Sequence, residues 1–294
     1  MNIFESIKKE FTIPNAYGNW KVYRRELTDL IIQDAKKSRT AGKSCGSLAV
    51  LGAGPCNDLD LQRLISHFGS IDLIDVDVDS VKEGLINQGQ EHCPSIHIKK
   101  ASLTGVEQEL TERFFNRLYM YLVEKGRSVT ETDFIERSIM EFKLVEQDMF
   151  KTSDDFTHIL PEKSYDMVVA AGLHSQLWSI LSYSWHILSG NVSEQILGGR
   201  TIDPEPFHDH IREVDDKFIP VMNEAILGSA KERVLFSSEY DPNYPSEGAW
   251  QCIKDVRQRY TRGDIELDES TLEWPFYPEQ RRKYTMLIQD IKMC

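Results

Sequence analysis

Apolar positions along the chain follow two alternating periods. Over residues 18–37, Trp20, Tyr23, Leu27, Leu30 and Ile31 recur at helical spacing, predicting an amphipathic helix. Pro14 and Gly18 punctuate its start, and the polar run 36–47 ends it. The period then shortens. Ser47-Leu48-Ala49-Val50-Leu51 reads as a buried strand that runs into Gly52-Ala53-Gly54-Pro55. A helix is expected over 58–68, with Leu61, Leu64, Ile65 and Phe68 inward, then a strand over 71–76 ending in acid. A helix over 81–88 and a strand over 96–98 continue the alternation. Strand, helix, strand, helix with short links is the pattern of an α/β doubly wound fold.

Two amphipathic helices interrupt that pattern between residues 106 and 145. One carries Leu110, Phe114, Leu118, Tyr121 and Leu122. The other opens on Thr130-Glu131-Thr132-Asp133, a capping-box-like start. They read as an insertion that packs on the sheet domain or over its site. The α/β pattern resumes with a strand at 165–172 and a helix over 175–188. A loop is expected over 189–206, a helix over 207–227, a strand at 233–237 and a helix over 250–260. Two closing strands, 271–276 and 284–289, suit an antiparallel hairpin at the sheet edge. The domain division expected is a helical cap over 1–40 and one domain over 41–294 that holds the insertion.

Composition narrows the partners. The 294 residues carry 34 Lys and Arg against 47 Asp and Glu, a net charge of −13. That balance disfavours a surface built to hold a phosphate backbone, so no nucleic-acid partner is expected. No apolar run is long enough to span a bilayer and the first residues lack a secretory core, so a cytoplasmic protein without a membrane partner is expected. Cys45, Cys56, Cys93, Cys252 and Cys294 form no CxxC pair, and reduced thiols are the default.

The segment Val50-Leu51-Gly52-Ala53-Gly54-Pro55-Cys56-Asn57-Asp58 holds the chemistry. A glycine loop after a strand lets backbone amides approach a ligand, and an acid at the end of the next strand, Asp75, can accept ribose hydroxyls. Dinucleotide enzymes and S-adenosylmethionine enzymes share this pairing. A dinucleotide fingerprint needs a third glycine where Asn57 stands, and Asp58 would set negative charge beside a pyrophosphate. S-adenosylmethionine carries no phosphate.

On the loop Gly52-Ala53-Gly54, the acid-ended strand at 71–77, the strand YDMVVAAG at 165–172 and the closing segment 273–291, the sequence resembles the class I S-adenosylmethionine-dependent methyltransferases. The resemblance spans roughly 40–291, with 106–145 unmatched. It implies a mostly parallel seven-stranded, Rossmann-like sheet with helices on both faces and a C-terminal antiparallel hairpin. It also implies S-adenosyl-L-methionine as cofactor. Gly52, Ala53 and Gly54 would line its methionine part, with Asp58 beside them. Asp75 would bind the ribose, and Val76 would touch the adenine. Ser102 and Leu103 would lie near the adenine ring, with Asp148 as the alternative for that position. Gly172 and Leu173 would lie beside the methyl. The chain departs from the family pattern at Val50, where an acid is common, and at Cys56, where a third glycine is usual.

Candidate acceptor residues follow the strands. His174 is placed to take a proton from a nucleophile, and its alternative is an ordinary polar residue opening a helix. Gln176, Glu239 and Tyr240 occupy the same strand ends, and the polar loop 241–245 follows them. His208 and His210 lie two apart on a helix and face different ways, so no metal is expected, although His208 could reach substrate. Trp20 and Tyr23 read as core, whereas Tyr17, just before the helix, could close the site. The reading is methyl transfer to a small-molecule or short-peptide acceptor by a monomer or homodimer. Its alternatives are an aminopropyl- or aminobutyrate-transferring synthase, an NAD-dependent oxidoreductase and a non-catalytic binding module. The acceptor and the attacked atom are not legible.

Overall fold

The computed structural model describes residues 12–38, 46–106, 108–241 and 246–293. Cys45, Cys294 and most of the polar loop 241–245 lie outside them. Seven strands form one sheet: β1 (Gly46–Leu51), β2 (Phe68–Asp75), β3 (Ile96–Lys100), β4 (Tyr165–Ala171), β5 (Ala230–Glu239), β6 (Ile265–Tyr277) and β7 (Arg282–Met293). Their order is β3-β2-β1-β4-β5-β7-β6. Strands β1 to β5 pair in parallel, and β7 enters antiparallel between β5 and β6. This is the mostly parallel seven-stranded sheet with a closing hairpin that the resemblance implied.

Helices of this sheet unit include α1 (Ala16–Asn19), α2 (Lys21–Ser38), α3 (Leu61–Ile65) and α4 (Val78–Asn87) on the N-terminal side of the chain, and α10 (Glu247–Arg262) near its end. Trp20, Tyr23, Leu27 and Ile31 share one core with Leu48, Val50, Leu73, Val169 and Leu235. On β5, Leu235, Ser237 and Glu239 alternate with Phe236 and Ser238, and so point to opposite faces. Ser237 meets Tyr23 of α2, while Phe236 meets His174 on the other side. The core reading of Trp20 and Tyr23 therefore holds.

The remaining helices are α5 (Gln108–Lys125), α6 (Glu131–Asp154), α7 (Phe156–Ile159), α8 (Ser179–Gln195) and α9 (Glu205–Ser229). Residues Leu103–Asp155 and Gln176–Phe218 cluster as one compact unit, and Ile13–Ser102, Phe156–Ser175 and Ile219–Cys294 as the other. That division differs from the expected cap over 1–40 and insertion over 106–145. The helical unit has an aromatic core in which Phe114 stacks with Phe207 and Phe207 with Trp185. The capping box at Thr130 forms as read: its hydroxyl accepts from the Asp133 amide at 3.1 Å, and the Asp133 carboxylate accepts from the Thr130 amide at 3.0 Å.

Several boundaries differ from the sequence expectation. The helix expected over 58–68 is only Leu61–Ile65, capped by Asp60, and Phe68 already belongs to β2. The helix expected from 175 begins at Ser179 after a 3-10 turn at His174–Gln176, and runs to Gln195 through the expected loop. Pro220 sits inside α9. The hairpin is longer than read, because its exposed outer positions are acidic and hide the alternation. On β6, Glu266, Asp268, Glu269 and Glu273 are exposed, and Pro275 interrupts the outermost strand. At the opposite edge β3 is only five residues long and ends in Lys99-Lys100.

Candidate functional site

The ends of β1, β2, β3 and β4 come together around the glycine loop. After Leu51, Gly52 turns with φ of +64°, and its amide and that of Ala53 both donate to the Ile74 carbonyl, at 2.9 and 3.3 Å. Gly54 follows at φ +47° and its amide donates to Asp75 Oδ2 at 2.8 Å. Asp75 Oδ1 accepts the Asp77 amide at 2.7 Å. The Gly54, Val76 and Asp77 amides thus all act on this carboxylate, Gly54 at Oδ2 and Asp77 at Oδ1. Burial raises the Asp75 pKa above the ordinary carboxylate value, against the pull of the Asp77 and Gly54 amides.

Cys56, where the resembling family usually has glycine, adopts φ +50°. Its side chain is fully buried, and burial pushes its thiol pKa well up, so it stays protonated. The helix behind the loop presses on it directly. A Cβ on Gly84 of α4 would lie 2.1 Å from the Pro55 carbonyl oxygen. Sequence reasoning missed Gly84. Its signal was a glycine in mid-helix, which costs helix stability unless something packs against it.

The neighbouring strand ends contribute in turn. Val76 is 43% exposed, an apolar surface next to Asp75. The Ala101 amide donates to the Asp75 carbonyl at 3.1 Å, which sets Ser102 beside the end of β2. Asp148, the alternative to Ser102, lies within α6 and is paired with Lys151 at 2.9 Å. Gly172 turns with φ +63° after β4, and its amide donates to the Ser237 carbonyl at 2.7 Å. Leu173 leans on Gly52: a Cβ there would be 2.9 Å from Leu173 Cδ1. A Cβ on Gly54 or Gly172 would meet nothing within 4 Å, so both border open space.

Tyr17 lies in the one-turn helix α1, just before the long helix α2. Arg24, another residue the sequence reading passed over, fixes it. The guanidinium lies 3.7 Å from the centre of the Tyr17 ring and donates to the carbonyls of Tyr17 and Asn57 at 2.6 and 3.0 Å. Asp58 sits in the loop beyond Asn57. Burial pushes its pKa up to about 6, with its own amide and Arg24 pulling the other way. An acid raised from 3.8 to about 6 costs stability above pH 6, and the cost fades as the pH falls toward 4. Asp58→Asn is therefore expected to be more stable than the parent at pH 8 and to lose about half of that advantage at pH 5, as read by urea unfolding at the two pH values.

His174 is 2% exposed and turned inward. Asn223 Nδ2 donates to Asp255 Oδ2 at 2.9 Å, so Asn223 Oδ1 accepts from His174 Nε2 at 2.8 Å. That assignment leaves Nδ1 buried without a hydrogen-bond partner. Burial lowers the ring's pKa to about 4 against the pull of Asn223 and Asp255, and His174 is neutral at pH 7. Glu239 is buried at the end of β5, and Tyr240 follows with its amide on the Thr285 carbonyl at 2.8 Å. Gln176 is exposed. Leu103, Gln176 and His208 belong to the helical unit, where His208 faces Trp185 with ring centres 6.0 Å apart. His210 lies 3.7 Å from Glu146. Among the described residues no three His, Cys, Asp or Glu side chains are grouped to hold a metal, and no helix is long and apolar enough to cross a membrane. Asp77, read as solvated or capping, caps α4 through the Ser80 amide at 3.2 Å.

No family model matches the sequence, and no curated protein matches it. Among solved structures, the chain is similar to a SAM-dependent methyltransferase from Aquifex aeolicus, with 12% identity, 98% of this chain and 97% of that chain covered, and a TM-score of 0.41. It is also similar to the magnesium protoporphyrin IX methyltransferase of Synechocystis with bound SAM, at 10% identity, coverage of 98% and 88%, and a TM-score of 0.43. A third likeness is to the precorrin-6y C5,15-methyltransferase of Geobacter metallireducens, at 6% identity, coverage of 97% and 94%, and a TM-score of 0.43. Likenesses of this depth carry no argument about activity, cofactor or acceptor.

Proposed function

We propose that the chain binds S-adenosylmethionine at the ends of β1, β2, β3 and β4 and transfers its methyl group to a small-molecule or short-peptide acceptor. The observation that carries this reading is the Asp75 carboxylate. It is fixed at the end of β2 by the amides of Gly54 and Asp77 at 2.8 and 2.7 Å, where a carboxylate can accept from ribose hydroxyls. The surroundings fit the rest of the cofactor. Gly54 and Gly172 border open space where a side chain would intrude. Val76 offers an apolar surface suited to adenine, and Ser102 stands beside it on the next strand end. Asp58 and the loop amides suit an amino-acid moiety, which carries both an ammonium and a carboxylate.

The bound cofactor supplies a methyl group already activated by a sulfonium, so the protein's task is alignment and exclusion of water. That task asks for no dense catalytic constellation. The glycine loop and Asp75 orient, Leu173 packs against Gly52, and the acceptor approaches past Gly172. The surplus of acid over base, 47 against 34, supports a small or peptide acceptor rather than a nucleic acid.

Titration calorimetry with S-adenosylmethionine, S-adenosylhomocysteine and NAD tests the site, and binding of the first two without NAD is expected. Product analysis then separates the reactions that share this cofactor. Methyl transfer leaves S-adenosylhomocysteine, whereas aminobutyrate transfer leaves methylthioadenosine. Binding of NAD alone would refute the proposal.

A further inference from the structure

Glu239 has a chemistry that the cofactor does not use. It ends β5 on the face that carries Ser237, under Tyr23 of α2. The residue is 9% exposed, and the Ser175 hydroxyl, which donates to the Gly172 carbonyl at 3.2 Å, is also within hydrogen-bond reach of its carboxylate. The other oxygen, Oε2, is buried and has no hydrogen-bond partner. No cation acts on it among the described residues. An uncompensated buried carboxylate costs several kcal/mol unless it takes a proton or a counter-charge.

The walls around Glu239 are aromatic. Glu239 pairs with Met286 across β5 and β7, which sets Tyr284 on the same face, and Ser237 on that face meets Tyr23. Tyr23 stacks on Trp274 with ring centres 5.6 Å apart, and Trp274 lies 6.1 Å from Tyr284. The Tyr23 hydroxyl is tied to Ser237 Oγ at 3.0 Å, which holds that ring in place. Aromatic faces beside a desolvated carboxylate favour an organic cation over a neutral guest. Glu239 also lies close to the proposed methyl position. The Gly172 amide is bonded to the Ser237 carbonyl, two residues before Glu239.

We infer that Glu239 receives the acceptor, and that the acceptor is a small amine whose ammonium group binds the unpartnered carboxylate oxygen. This inference rests on the methyl-transfer reading. A hydroxyl acceptor would satisfy one hydrogen bond but leave the buried charge uncompensated. An ammonium nitrogen must first shed a proton, and Oε2 is the base that takes it. The N–C bond then forms as the C–S bond breaks, with the electron pair of the latter left on sulfur. The proton passes from Glu239 to solvent, and the methylated product leaves as an ammonium ion.

The test is titration calorimetry of the full chain, without cofactor, against 2-phenylethylamine and its neutral counterpart 2-phenylethanol. The amine is expected to bind at least tenfold more tightly than the alcohol. Glu239→Gln is expected to lower amine affinity at least tenfold, leave alcohol affinity unchanged and retain parental S-adenosylmethionine affinity, which also reports that the variant is folded. Equal binding of amine and alcohol, unchanged amine affinity in the variant, or no amine binding to a chain that binds S-adenosylmethionine would each overturn the assignment. Amine binding by a chain that binds no S-adenosylmethionine would instead refute the methyl-transfer reading and leave an amine site.

Discussion

Asp75→Ala is expected to weaken S-adenosylmethionine binding by at least about a hundredfold. The carboxylate joins the glycine loop, the start of α4 and the proposed ribose site. Removing it strips the acceptor from the Gly54 amide at 2.8 Å and from the Asp77 amide at 2.7 Å. Binding loses in addition the hydrogen bonds from the ribose hydroxyls, and each such bond to a charged acceptor contributes about 1.5–3 kcal/mol. Roughly 3 kcal/mol lost from the bound state corresponds to about a hundredfold in affinity. Asp75→Asn should be almost as damaging, because its amide nitrogen would face one of those two N–H donors. Titration calorimetry on both variants checks this. Parental affinity in Asp75→Ala would remove the site from the end of β2.

Gly84→Ala is expected to lower the melting temperature by about 5–10 °C, against the usual sign of such a change. In an ordinary helix, alanine is about 1 kcal/mol better than glycine. Here the added methyl would sit 2.1 Å from the Pro55 oxygen and 2.5 Å from its carbonyl carbon. Both are backbone atoms, so either α4 or the glycine loop must move. Overpacking of that kind costs about 1–3 kcal/mol, and each kcal/mol shifts the midpoint of a chain this size by about 2–4 °C. Gly190, in α8 with nothing within 4 Å of its Cβ position, is the control. Gly190→Ala should leave the midpoint unchanged or raise it. Cofactor affinity should fall in Gly84→Ala alone, because only there does the loop shift.

The strands were legible because their periods are clean. Leu48 to Leu51 and Met167 to Ala170 are continuous apolar runs in strands buried on both faces. The glycine loop and Asp75 were legible for the same reason: they stand where such runs stop. The site's supports were not. Arg24 on Tyr17 and Asn57, Gly84 against Pro55, and Ser175 on Glu239 join residues distant in sequence, and no local pattern announces them. The interior side of His174 was hidden likewise, since its partner Asn223 is 49 residues away. Helix limits failed where polar and apolar residues mix. The stretch from Ser189 to Gln195 reads as a loop through its Gly and Ser content, yet it continues α8. Ser189 Oγ there donates to the His186 carbonyl within the helix itself.

The two outer strands bear on how the chain behaves in crowded solution. An unpaired strand edge is a template on which another chain can add. At one edge, β3 offers only five residues and ends in two lysines. At the other, β6 is 13 residues long, and its defence is chemical rather than geometric: exposed Glu266, Asp268, Glu269 and Glu273, with Pro275 near its end. Carboxylates guard an edge only while they are ionised. Replacing those four side chains by their uncharged amides should therefore let the chain associate edge to edge, a liability that light scattering would register before any loss of fold.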